Sequence, residues 1–223
     1  MTKFARLPVL FLLLGIFLVA FLLGGPENAS DVAAIHQLRE IRTESPQSTS
    51  LIVILTQLGS AYATLGLGTA AAAWLFLRGD RGIAVLLAAT VFGERLVLDG
   101  FKISAGRPRP GFDAHPVMTH SSSFPSGHSA NSMAVFVAIA LIVAPPAWRR
   151  PLVAFAALMA VLIGASRPYL GVHWPSDVIG GWALGMIAVW IALKAGERSG
   201  LLVKAQHQVV GGHLPPVREE EAA

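Results

Sequence analysis

Apolar residues fall along this chain in long runs, and polar residues gather between them. Six runs stand out: Leu7 to Gly25, Leu51 to Leu77, Gly82 to Phe101, Ser129 to Val143, Pro151 to Ala165 and Val178 to Leu193. A helix needs about 20 apolar residues to cross a hydrocarbon core. The fourth and fifth runs are shorter, with apolar or small flanks that extend them. The pattern predicts an all-α, polytopic membrane protein, a six-transmembrane-helix bundle over residues 1–198. Residues 199–223 then form a cytoplasmic tail that Pro215, Pro216 and the run Glu219 to Glu221 mark as disordered.

Smaller features fit that plan. The first run, with Lys3 and Arg6 ahead of it, exceeds the roughly 7–15 apolar residues of a signal peptide and lacks a small-x-small cleavage site, so it reads as an uncleaved anchor. Ser30 and Asp31, followed by Val32, Ala33, Ile35 and Leu38, predict a capped amphipathic helix on the outer surface. Gly181 and Gly185 make a small-xxx-small pair that lets helices approach closely. The five tryptophans read as anchors at the membrane interface.

Composition supports the membrane class. Of 223 residues, 54% are hydrophobic and 13% charged, and mean hydropathy is +0.61. With no cysteine there is no disulfide, thiolate nucleophile or Cys-based metal site. The net charge of +4 does not point to nucleic acid, because the basic residues lie mostly at the ends of apolar runs, where they meet anionic headgroups. With the N-terminus inside, ten Lys and Arg face the cytoplasm and six the outside, with Arg95 inside a span. That bias places both termini in the cytoplasm.

This topology sends the reactive residues to one face. The loop after the third run carries Lys102, Arg107 and Arg109, then Phe124-Pro125-Ser126-Gly127-His128; the loop after the fifth carries Ser166, Arg167, His173 and Asp177. Lys102, Arg109 and Arg167 are cations near span ends and need an anion. Ser126 and Gly127 open a helix whose N–H groups form an anion cradle. Asp177 lies four residues after His173, a spacing that lets a carboxylate orient one imidazole nitrogen and leave the other nucleophilic. His128 adds a second imidazole. Together they suit phosphoryl transfer.

Taken singly, each residue has a plainer reading. Lys102 and Arg167 could snorkel to headgroups, His128 could cap a helix, and His173 with Asp177 could be a local hydrogen bond. Arg95 and Asp99 read as an intramembrane pair, Glu94 as a support for Lys102 or Arg167, and His115 and His120 as solvated loop residues that could touch a headgroup.

In order and spacing, Lys-x6-Arg-Pro (Lys102, Arg109, Pro110), Pro-Ser-Gly-His (Pro125 to His128) and Ser-Arg-x5-His-x3-Asp (Ser166, Arg167, His173, Asp177) resemble the three-part signature of the type 2 phosphatidic acid phosphatase family, which shares its site with vanadium haloperoxidases. The resemblance implies that His173 attacks phosphorus and forms a phosphohistidine while Asp177 holds its tautomer. His128 then protonates the leaving oxygen and helps activate water. Lys102, Arg109, Arg167, Ser126 and Gly127 bind the phosphate, with Arg107 a candidate auxiliary contact, and no metal or other cofactor is required.

The expected partners are a lipid phosphate substrate and membrane lipids, with no nucleic acid; the sequence does not fix an oligomeric state. Phosphatidic acid, phosphatidylglycerol phosphate, undecaprenyl diphosphate and a lipid A phosphate all fit. Two other classes compete: a metal-dependent hydrolase built on His128, His173 and Asp177, which the nearby cations oppose, and an anion transporter, which a site at one face and the lack of an inverted repeat oppose. Short loops, small size and the resemblance place the chain in a bacterial inner membrane with its site on the periplasmic or extracellular face.

Overall fold

The computed structural model describes residues 7–112 and 121–201; His115, His120 and the tail from residue 202 lie outside them. Among the described residues the chain is helical throughout, in eight helices: α1 (Leu7–Leu23), α2 (Ala29–Glu44), α3 (Pro46–Gln57), α4 (Ala61–Leu77), α5 (Arg81–Ala105), α6 (Gly127–Ile142), α7 (Pro146–Tyr169) and α8 (Pro175–Arg198). Three stretches are long and apolar enough to cross a membrane: Gln47–Leu77, Pro146–Tyr169 and Pro175–Arg198. Leu7–Leu23 and Gly127–Ile142 are shorter apolar helices. The 25 residues of α5 include Arg81, Glu94, Arg95, Asp99 and Lys102, which interrupt its apolar character.

The second apolar run is broken rather than continuous. A turn at residues 58–60 separates α3 from α4, and Ser60 restarts the helix by accepting the Ala63 N–H. Gly59 sits so close to α6 and α7 that a Cβ there would lie 2.4 Å from the Ile163 side chain and 3.2 Å from the His128 carbonyl. Packing thus sets a break that hydropathy does not reveal.

The amphipathic helix forms as α2, but its cap is Asn28, whose side chain accepts the Asp31 N–H. Asp31 is buried. Its carboxylate accepts the Gly25 N–H at 2.7 Å, the Ser176 N–H at 3.0 Å and the Ser176 hydroxyl at 2.5 Å, so it caps α8 and ties the α1–α2 turn to it.

The core sits around α6, packed between α5, α7 and α8. Glycines on α8 bring its backbone against that of α6. A Cβ on Gly181 would lie 2.6 Å from the Ser126 carbonyl oxygen, and one on Gly185 2.6 Å from that of Ala130. The close approach expected of this pair is therefore present, and it fixes the N-terminus of α6 beside that of α8.

Helices α7 and α8 extend past the apolar runs that mark them. Ser166 and Arg167, expected in a loop, occupy the last turns of α7, where Ser166 and Arg167 both bond to the Thr56 hydroxyl on α3, at 2.9 and 3.0 Å. Partners inside the bundle let the helix continue. Only residues 170–174 remain as the α7–α8 link.

Candidate active site

One cavity of about 880 Å³ opens at the end of the bundle where α5 and α7 finish and α6 and α8 begin. Lys102, Arg109, Gly127, His128, Arg167 and His173 all line it. Lys102 and His173, 71 positions apart in sequence, thus reach one space, which the close α6–α8 contact and the short α7–α8 link require.

Asp177, fully buried in the first turn of α8, anchors the arrangement. Its Oδ2 accepts the Ser123 hydroxyl at 2.5 Å and the Trp174 N–H at 2.9 Å, and its Oδ1 accepts from Arg107 at 2.8 Å. His173 Nδ1 lies 3.4 Å from both Asp177 Oδ2 and the Ser123 hydroxyl. On the other side of the ring, Arg109 donates to Nε2 at 3.1 Å. Nε2 therefore accepts, which puts the ring proton on Nδ1, facing the carboxylate. Burial, and then Arg109, Lys102 and Arg167, hold the His173 imidazole well below its ordinary pKa, so it is neutral.

The three cations are anchored by neutral groups. Lys102 donates to the Ser122 carbonyl at 2.9 Å. Arg109 donates to the Ser121 and Val172 carbonyls at 2.9 and 2.6 Å. Arg167 donates to Thr56, and its buried Nε has no partner. Among the described residues, no carboxylate forms a salt bridge with any of the three. Burial is the main cause that lowers the Arg109 pKa. Three cations lining one partly desolvated cavity without a counter-ion make it a place for a multiply charged anion.

Some expectations need correction. Ser126 does not line the cavity: it is fully buried, its N–H donates to the Asp177 carbonyl at 2.9 Å, and its hydroxyl accepts from Ser129. At the start of α6 it is Gly127 and His128 that line the cavity. Arg107 is no auxiliary phosphate contact. Its guanidinium is spent on Asp177, Ser176 and the Ala20 and Phe21 carbonyls at the end of α1, and stacks 4.5 Å over Phe124. Glu94 is buried with Oε1 unpartnered, and neither Lys102 nor Arg167 bonds to it. Trp174 is buried rather than an interface anchor, and it donates to the Pro108 carbonyl at 2.9 Å. Among the described residues, His128, His173 and Asp177 do not close into a metal-binding group, since the Asp177 oxygens point at Ser123, Trp174 and Arg107.

Three participants escaped the sequence reading. Ser123 lies in a serine triplet where nothing singles it out. Thr56 and Asn131 are polar residues inside apolar runs, and that placement is itself a signal.

Known proteins resemble this chain in sequence and fold. The chain is 34% identical to phosphatidylglycerophosphatase B of Bacillus subtilis over 66% of its own length and 74% of the relative's. It is 36% identical to a lipid A 1-phosphatase of Rhizobium etli over 82% of this chain and 81% of that one. An undecaprenyl-diphosphatase of Sulfolobus acidocaldarius is 31% identical over 82% and 85%. Among solved structures, a transmembrane PAP2 type phosphatidylglycerolphosphate phosphatase from Bacillus subtilis superposes with a TM-score of 0.78 at 30% identity, covering 85% of this chain and 96% of that one. Residues 82–200, more than half of the sequence, match the PAP2 superfamily, and the chain is a membrane-embedded member of it.

Proposed function

We propose that this protein hydrolyses a lipid phosphate monoester or diphosphate through a phosphohistidine, without a metal. The observation that carries this reading is the neutral His173, with Nδ1 toward Asp177 and Nε2 toward a cavity lined by three cations that lack a counter-ion. Similarity to membrane phosphatases acting on three lipid phosphates supports it.

Arg109 covers the Nε2 lone pair. A bound phosphate draws Arg109, Lys102 and Arg167 to its oxygens and uncovers that lone pair. The Gly127 and His128 N–H groups, at the positive end of α6, complete the cradle. Nε2 then bonds to phosphorus while the bond to the lipid oxygen breaks, and that oxygen takes the proton that the bound, singly protonated phosphate has passed to His128. The imidazolium charge that develops on His173 is met by Asp177 through Nδ1–H. In the second half, water gives a proton to His128 and attacks phosphorus, the N–P bond breaks, and phosphate and neutral His173 return. The cations stabilise the equatorial oxygens in both steps.

The topology proposed for this activity has six membrane crossings, α1, α3 with α4, α5, α6, α7 and α8, with both termini in the cytoplasm and the site outside. The excess of cytoplasmic Lys and Arg supports it, as does the placement of the site residues at one end of the bundle. A bacterial inner membrane is the proposed location.

The test is phosphate release from a panel of lipid phosphates by the purified protein with EDTA present. Wild type is expected to release phosphate, and His173→Ala to lose about 10³-fold or more. Release that survives His173→Ala, or that stops with EDTA, would overturn the mechanism.

A further inference from the structure

The cavity reaches beyond the residues that hold phosphate. Arg95, Asp99 and Lys102 share one face of α5 and all line it, and the helical rise puts Arg95 about 10 Å from Lys102 along the axis. Arg95 and Asp99 form a two-bond pair at 2.9 and 2.8 Å, with side chains 30% and 44% exposed. Charges inside a membrane protein are costly, and an apolar pair would serve stability as well. The pair has another use.

Its chemistry is specific. Two guanidinium N–H groups meet the carboxylate, leaving three donors on Arg95 and spare lone pairs on Asp99, in a unit of no net charge. Such a unit suits a hydroxyl, which both donates and accepts. It does not suit a second phosphate, which Asp99 repels.

In the lining of the same cavity, Asn131 gives an independent sign. It lies on α6 one turn after His128, is 3% exposed and lines the same space, and its Oδ1 has no hydrogen-bond partner. An orphaned buried acceptor calls for a donor from the ligand. Because His128 meets the leaving oxygen, that donor belongs beside the ester bond. A phosphate carried directly on a hydrocarbon chain has no such donor.

We infer that Arg95, Asp99 and Asn131 form a headgroup subsite for a lipid phosphate whose alcohol carries a free hydroxyl next to the phosphate ester, as in a phosphorylated glycerol or sugar. This rests on the phosphatase reading of the cavity and narrows its substrate class.

A matched pair of lipids tests it: phosphatidylglycerophosphate, and its analogue built on propane-1,3-diol, which lacks only the central hydroxyl of the phosphorylated headgroup. Farnesyl diphosphate serves as the hydrocarbon-linked control. Wild type is expected to favour the hydroxylated lipid by at least about tenfold in kcat/KM. Asn131→Leu, and the joint change Arg95→Leu with Asp99→Leu, are expected to bring that ratio close to one. The joint change removes both charges, so no unpaired charge is left in the span; if it does not fold, Asp99→Asn and Asn131→Ala carry the same comparison. Equal rates in wild type, a ratio the variants leave intact, or turnover of farnesyl diphosphate alone would overturn the subsite while the phosphatase stands. Failure to release phosphate from these three with turnover of phosphatidic acid would also overturn the subsite alone, and failure on every lipid phosphate of the panel would overturn the phosphatase reading itself.

Discussion

Ser123 and Arg107 hold the two oxygens of Asp177 from opposite sides, and neither touches the space where phosphate would sit. Their roles differ in kind. Ser123 also lies 3.4 Å from His173 Nδ1, so it steadies carboxylate and imidazole together. Ser123→Ala is expected to lower kcat about 10- to 100-fold, the worth of a hydrogen bond to a charged group, with KM little changed. Equal losses in kcat and thermal stability would mark it as merely structural. Arg107 instead neutralises Asp177 from within the protein and links it to the end of α1. Arg107→Leu leaves a buried charge unpaired, a loss of about 3–5 kcal/mol, read as a lower Tm in detergent and a parallel fall in activity. His173 sets a pH dependence of stability. Its pKa is lowered in the folded protein, so below about pH 6.5 the unfolded chain takes up a proton that the folded chain refuses. Stability therefore falls as pH falls below that point, and His173→Gln is expected to flatten the slope of Tm between pH 7 and 5.

At the scale of elements, the contact between α6 and α8 does most to place the chemistry, because His128 begins one helix and Asp177 the other. Gly185→Val would push a Cβ to 2.6 Å from the Ala130 carbonyl oxygen, against backbone that cannot yield. Overpacking of this kind costs about 1–3 kcal/mol. The expected result is a lower Tm with a fall in kcat, measured by thermal unfolding and phosphate release on the same sample. The glycine pair was legible in the sequence because only small residues permit that approach. The apolar runs were legible because a membrane helix must be apolar along its length. The break at residues 58–60 was not, since it depends on Gly59 meeting Ile163 and the His128 backbone. Nor was the burial of Ser126, whose N–H is claimed by a carbonyl 51 residues away in sequence. Spacing shows which residues share a helix turn, and the phosphate-facing group is decided by how two helix starts abut.

For the whole molecule, the direction of the site decides which leaflet supplies substrate. Six basic residues lie on the site side, but Lys102, Arg107, Arg109 and Arg167 are all held in or behind the cavity. Among the described residues only Arg39 and Arg42 remain on that side, against Arg78, Arg81, Arg149, Arg150, Lys194 and Arg198 at the other. The bias toward a cytoplasmic N-terminus is thus stronger than the raw count. Helix α6 runs about 24 Å from the cavity to its far end, so the link between α6 and α7 lies on the opposite face from α2. The chain contains no cysteine, and a single introduced thiol reports one position cleanly. Thr43 on α2 and Ala147 at the start of α7 are both exposed. In intact cells a membrane-impermeant maleimide is expected to label Thr43→Cys and to reach Ala147→Cys only after permeabilisation. The reverse pattern would turn the cavity toward the cytoplasm and make inner-leaflet lipids its substrates, with the catalytic residues unchanged.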